Sequence, residues 1–257
     1  MKKVELVVSD MVRQKENRRI IAICSNTNGV GKTTLAVNLA VALQRRTGKQ
    51  VALFDADLFC GNVGVHLNLP RVRSIVDLIR RIDELDSALF TQVLMRHLSG
   101  VRVLLRPRRP DDALEITRGH VKRILESLAR GEDYVVVDCA TLSDERALPA
   151  LELASDILLI IPSEIGCLKN LRALLDHLAD LGLDLTKIHL VLNRANSQVV
   201  IEAKQIEQAL GQKVTFCLNG GGAAVTLSIN RRVPLLIEQP NHPFSQQVSR
   251  MADFLAQ

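Results

Sequence analysis

Short runs of apolar and β-branched residues recur along the chain at 20–24, 51–54, 101–105, 134–138, 157–161, 188–192 and 214–217, and each reads as a strand. Between several of them lie segments with the 3.6-residue period of an amphipathic helix, at 32–46, 117–129, 168–181 and 201–210. Gly131, Gly182 and Gly211 follow three of these segments, where a helix end calls for a left-handed residue. Strand and helix alternate with short connections, which implies right-handed crossovers. The expected fold is therefore α/β: one domain over residues 19–257, with a mainly parallel twisted sheet and helices on both faces, after a polar leader at 1–18.

Composition sharpens this picture. Aromatic residues make up 3% of the 257, with no Trp and Tyr134 as the one Tyr, so the core must be built from Leu, Val, Ile and Ala. Cys24, Cys60, Cys139, Cys167 and Cys217 have no paired spacing and read as reduced core residues. The leader is charged throughout, and the apolar run at 157–161 is far too short to span a bilayer. A cytoplasmic protein without stable membrane insertion is expected. A net charge of +5 permits contact with nucleic acid or an anionic membrane without choosing either. The six His residues show no ligand spacing, so no transition-metal site is expected.

The chemistry is concentrated in Ser25-Asn26-Thr27-Asn28-Gly29-Val30-Gly31-Lys32-Thr33-Thr34, between the first strand and the first helix. A loop that opens a helix offers unpaired N–H groups and the positive end of a helix dipole, which together suit phosphate. Gly29 and Gly31 let the backbone approach, with Asn28 and Val30 completing the cradle. Lys32 is expected to reach the β and γ phosphates, Thr33 to hold Mg²⁺ through its hydroxyl, and Thr34 to meet the α phosphate. A plain glycine turn that happens to end in Lys-Thr is the alternative. The coincidence of strand, loop, Lys-Thr and helix argues against it.

This segment resembles the deviant Walker A loop of the ParA/MinD family of P-loop ATPases, usually Lys-Gly-Gly-Val-Gly-Lys-Thr-Thr. The chain departs from that pattern at Asn26, Thr27 and Asn28. Asn tolerates positive φ, so the two Asn residues are expected to keep the loop's shape. Thr27 replaces the family's signature Lys, which reaches a partner's phosphates, so slow hydrolysis is expected. The resemblance implies ATP with Mg²⁺ and an ATP-dependent homodimer. The segment 51–62 is similar to the family's Walker A′. By that likeness Asp57 positions the attacking water, with Lys32 as the other catalytic group, and Asp55 supports the metal. Residues 134–138 resemble Walker B, with Asp138 serving the metal, although Cys139-Ala140-Thr141 stands where the family often has Pro. Asn193 and Arg194 end a strand like the one from which the family reads adenine. An Asn that merely makes a turn stays open as an alternative. Pro234, in Arg232-Val233-Pro234-Leu235, resembles a late segment near the base.

Within the family, the stretches 100–117, 154–160 and 168–172 resemble the TadZ/CpaE branch, which implies partners in a pilus or secretion machine and a place at a cell pole or beside the envelope. Members of that branch commonly carry a receiver-like domain ahead of the ATPase, whereas about eighteen residues precede the first strand here, too few to fold as one. The rival readings are a DNA-binding partition ATPase and a regulator of flagellar number or septum placement. The arginines at 71, 73, 80, 81, 106, 108 and 109 read as solvated surface, with DNA the lesser alternative. Phe244, Val248, Met251 and Leu255 form an apolar stripe with one cation, Arg250, and are expected to pack on the body rather than on a membrane.

Overall fold

Alternate residues of the first strand, β1 (Arg19–Cys24), enter different cores: Ile20, Ala22 and Cys24 on one side, Ile21 and Ile23 on the other. The two-residue period of a strand demands this of a sheet covered on both faces. The computed structural model describes residues 18–161, 165–194 and 202–257. The remaining strands are β2 (Val51–Ala56), β3 (Met95–Arg96), β4 (Arg102–Leu104), β5 (Tyr134–Cys139), β6 (Asp156–Ile161), β7 (Ile188–Asn193) and β8 (Val214–Leu218). Their order across the sheet is β3-β4-β2-β5-β1-β6-β7-β8, and every neighbouring pair is parallel except β3 with β4 at one edge. The α/β architecture is the one expected. The two-residue β3 was not foreseen, because two residues carry no period.

Helices of eight residues or more are α1 (Lys32–Thr47), α2 (Arg118–Gly131), α3 (Ile165–Asp180), α4 (Ala203–Leu210), α5 (Gly222–Arg231) and α6 (Pro243–Leu255). Helices α1 and α6 cover the face that receives Ile21 and Ile23. Helices α2 and α3 cover the other. The predicted stripe of α6 is buried, with Val248, Met251 and Leu255 at 0% exposure and Phe244 at 3%. Its polar side is pinned to α1, where Arg46 donates to both Asp253 oxygens at 2.6 and 2.7 Å.

Gly182 and Gly211 take the left-handed conformation expected after α3 and α4, with φ of 82° and 66°. Gly131 does not. Helix α2 runs through it, and Glu132, in extended conformation, closes the helix by donating its N–H to the Leu128 carbonyl at 3.0 Å. The cysteine expectation needs a similar correction. Cys24 and Cys139 are buried, but Cys60, in the turn after β2, and Cys217, on the edge strand β8, are exposed. The Cys167 side chain, most of the leader and residue 201 lie outside the described residues. Among the described residues no helix is long and apolar enough to cross a membrane.

Candidate nucleotide site at the head of the central strands

Parallel pairing brings the ends of three strands level. Ile23 of β1 lies in register with Asp138 of β5, and Asp138 with Asp55 of β2. The loop after β1 consequently sits beside two carboxylates that are far apart in sequence. Its shape comes from Gly29 and Gly31, with φ of 75° and 96°, values that a side chain would strain. Asn26 and Asn28 are not among the residues with positive φ, so their tolerance of that region is not called upon.

Lys32 is 7% exposed and folds back so that its Nζ donates to the Thr27 carbonyl at 3.2 Å. The next residue turns inward: Thr33 Oγ1 donates to Asp138 Oδ2 at 2.6 Å. Asp55 and Asp138 are each 1% exposed, and the second oxygen of each, Oδ1, has no hydrogen-bond partner among the described residues. Asp55 Oδ2 accepts a hydrogen bond from the Val63 N–H at 3.3 Å. Burial pushes the Asp138 carboxyl up to about 7, against the Thr33 hydroxyl bond and the Lys32 charge. Burial also raises Asp55 well above the usual carboxylate range, and the Asp138 charge adds to that. The Lys32 ammonium acts on Asp138 and the Arg106 guanidinium on Asp55, and neither offsets the burial of its carboxylate. A hydroxyl and two carboxylates with idle oxygens are the hard, all-oxygen donor set that Mg²⁺ takes, so the residues present fit that ion.

The turn after β2 closes the site from outside. Asp57 Oδ1 accepts from the Cys60 N–H at 2.9 Å, and the Asp57 carbonyl accepts from the Gly61 N–H at 2.8 Å. Gly61 lies directly behind Asp55, since a Cβ there would fall 1.9 Å from Asp55 Oδ1. Gly61 falls within the segment 51–62, whose likeness assigns it no role. Arg106, expected on solvated surface, is half-buried, and its Nε donates to the Gly61 carbonyl at 2.6 Å. Arg108 and Arg109 are exposed as expected, with Arg109 paired to Asp111.

Asn193 and Arg194 come to the same loop from β7. Asn193 Nδ2 donates to the Val30 carbonyl at 2.8 Å, and Arg194 Nη2 donates to the Gly29 carbonyl at 3.3 Å. Both hold the loop by its backbone carbonyls. Next to them opens a cavity of about 490 Å³, lined among others by Gly31, Thr34, Asn193, Gly221, Val225 and Phe244. That volume falls within the roughly 300–1,000 Å³ of small-ligand pockets. Pro234 is not among its lining residues. It caps the short helix Leu235–Glu238, which is held to α1 by Asn38 Oδ1 accepting from the Leu236 N–H at 2.9 Å. The wall formed by Gly220, Gly221 and Gly222 was missed. Its signal was three successive glycines between a strand and a helix.

A mainly parallel sheet that delivers a glycine loop, a buried Lys and two metal-ready carboxylates to the start of its first long helix defines a P-loop nucleotide-binding protein. Residues 21–218 match the model of the CobQ/CobB/MinD/ParA nucleotide binding domain, and the chain belongs to that family. It is 25% identical over 244 residues to a putative septum site-determining protein MinD of Tupiella akineta, covering 92% of this chain and 77% of that one. It is 29% identical over 183 residues to the antiactivator FleN of Pseudomonas aeruginosa, covering 70% and 62%. The fold is that of a ParA family ATPase from Chlorobium tepidum TLS, with a TM-score of 0.86, 20% identity and coverage of 91% and 98%. It is likewise that of the septum site-determining protein MinD of Pyrococcus horikoshii, solved with Mg-ADP, with a TM-score of 0.80, 22% identity and coverage of 92% and 95%.

Proposed function

We propose that this chain is a Mg-ATP-binding switch that pairs with a second copy when ATP is bound, hydrolyses it slowly and positions or recruits an envelope machine. One observation carries the nucleotide part: Asp55 and Asp138, in register on adjacent strands, each keep a buried oxygen with no hydrogen bond among the described residues, and Asp138 is bonded to the Thr33 hydroxyl. Thr33, Asp55 and Asp138 would hold the magnesium, directly or through its waters. When bound, the metal supplies positive charge to the β and γ phosphates. Lys32 trades its Thr27 carbonyl for phosphate, the N–H groups at the start of α1 face the same anion, and Thr34 meets the α phosphate. Asn193 and Arg194 keep the loop in place at the mouth of the cavity that would take the base, and Asp57 orients water for attack.

Titrating a fluorescent ATP analogue with Mg²⁺ or EDTA tests the site. Wild type is expected to bind in a Mg²⁺-dependent manner and Lys32→Ala to lose binding; equal affinity for the two would refute the assignment.

The client follows from weaker observations. The curated relatives bear names of septum placement and of flagellar antiactivation, which support a placement switch. The TadZ-like stretches at 100–117, 154–160 and 168–172 favour a pilus or secretion machine within that class. Counting pili, flagella and misplaced septa in cells lacking the gene separates these. The apolar face of α6 is taken up by α1, so liposome flotation with ATP is expected to be negative.

A further inference from the structure

Arg106, leading the arginine-containing loop at 106–109, lies on the carboxylate side of the site. Strand β4 lies beside β2, with Leu104 in register with Phe54, so the chain leaving β4 emerges level with the turn that follows β2. Arg106 stands there, half-buried, with Nε on the Gly61 carbonyl at 2.6 Å and Nη1 on the Pro107 carbonyl at 3.1 Å. Arg71 is close enough for its charge to interact with both Arg106 and Asp55.

The contact at Gly61 matters because of what Gly61 touches. The turn holds itself with the Asp57 bonds to Cys60 and Gly61 and with Asn62 Nδ2 on the Cys60 carbonyl at 3.0 Å. Its inner surface is the Gly61 backbone, packed so tightly on Asp55 Oδ1 that no side chain fits between. The other Asp55 oxygen is tied to the Val63 N–H. The orientation of that carboxylate is therefore set by the position of the turn, and Arg106 anchors the turn from outside.

We propose that Arg106 is a positioning residue of the metal site: its grip on the Gly61 carbonyl keeps the 57–62 turn folded against Asp55 and so fixes the orientation of that carboxylate at the magnesium site. This rests on the magnesium reading given above. The clamp and plain electrostatics separate in a variant that keeps the charge. The Arg106 charge favours the ionised form of Asp55 as well as repelling a metal, so an Arg106 acting only through its charge is replaced by Lys without loss. An Arg106 that orients a ligand behaves as outer-shell partners do, whose loss costs about 10- to 100-fold in metal affinity.

The experiment compares wild type with Arg106→Gln and Arg106→Lys, reading binding of a fluorescent ADP analogue as Mg²⁺ is titrated from EDTA. The expected result for Arg106→Gln is an Mg²⁺ half-saturation raised about tenfold or more, with affinity in EDTA unchanged. Unchanged affinity in EDTA shows that the fold and the phosphate loop are intact. Arg106→Lys keeps the charge without the planar fork, and it is expected to be impaired as well. If Arg106→Gln does not fold, the lysine variant alone carries the test. A half-saturation in Arg106→Lys equal to or below that of wild type overturns the clamp. If wild type itself shows no Mg²⁺ dependence, the magnesium reading fails instead.

Discussion

The Thr33 hydroxyl and the Asp138 carboxylate, 105 positions apart in the chain, meet at 2.6 Å across the heads of two adjacent strands. That bond ties the first turn of α1 to β5. Thr33→Val preserves volume but removes both the hydrogen bond and the proposed metal ligand. We expect nucleotide affinity in EDTA to be retained and the gain in affinity on adding Mg²⁺ to fall about tenfold or more, measured by fluorescence titration.

Gly61→Ala places a methyl group 1.9 Å from Asp55 Oδ1 and 2.6 Å from the Asp57 carbonyl, neither of which is the free end of a long side chain. The turn must shift. We expect a loss of about 1–3 kcal/mol in a urea melt, the range for overpacking, together with weakened Mg²⁺ dependence.

Asp57→Asn keeps an oxygen acceptor for the Cys60 N–H and so preserves the turn. The carboxylate is lost. Binding is expected to stay within about twofold of wild type while phosphate release drops about 10²-fold or more, the lower range for loss of a group that orients or deprotonates a reacting water. Undiminished release would remove Asp57 from the mechanism.

Thr27→Lys returns a cation to the loop position where the family's signature Lys stands. Its neighbours are ordinary ones: Thr27 Oγ1 contacts Asn26 Oδ1, and its N–H donates to Ser25 Oγ. Turnover and ATP-dependent dimerisation, followed by light scattering, are expected to rise. No gain in either would show that the missing cation is not limiting.

Burial pushes the His66 imidazole down to about 4, far below its ordinary value. The folded chain therefore binds fewer protons at this residue than the unfolded one between about 4 and 6.5. Its neutral form costs nothing above 6.5, and stability is lost as pH falls through that window, by at most about 1.4 kcal/mol per pH unit. Comparing urea midpoints at pH 5 and 7 for wild type and His66→Gln isolates the effect, since the carboxylates titrate in both. A smaller acid loss in the variant is expected.

Much of this site is legible in the amino-acid sequence, because its determinants are local. A buried strand, a glycine loop and Lys-Thr at a helix start are consecutive, and Asp55 and Asp138 each end a strand marked by its own residues. What the chain does not spell out is which strand lies beside which. The contacts of Arg106 with Gly61 and of Asn193 with Val30 depend on β4 lying next to β2 and on the β7 end reaching the loop. No period or spacing encodes that order. The exposure of Cys60 and Cys217 is equally a matter of position at a turn and at a sheet edge. For Gly131, a residue type that often follows helices proved to be the last helical one, with Glu132 ending the helix through its extended backbone.

The packing of α6 on α1 also bears on how the protein matures during synthesis. The helix that opens with the phosphate loop depends for part of its apolar cover on residues 243–255. A ribosome must therefore release that segment before the amino-terminal strand and helix can reach their final burial. Nucleotide capture by the nascent chain should thus lag well behind translation of the loop itself.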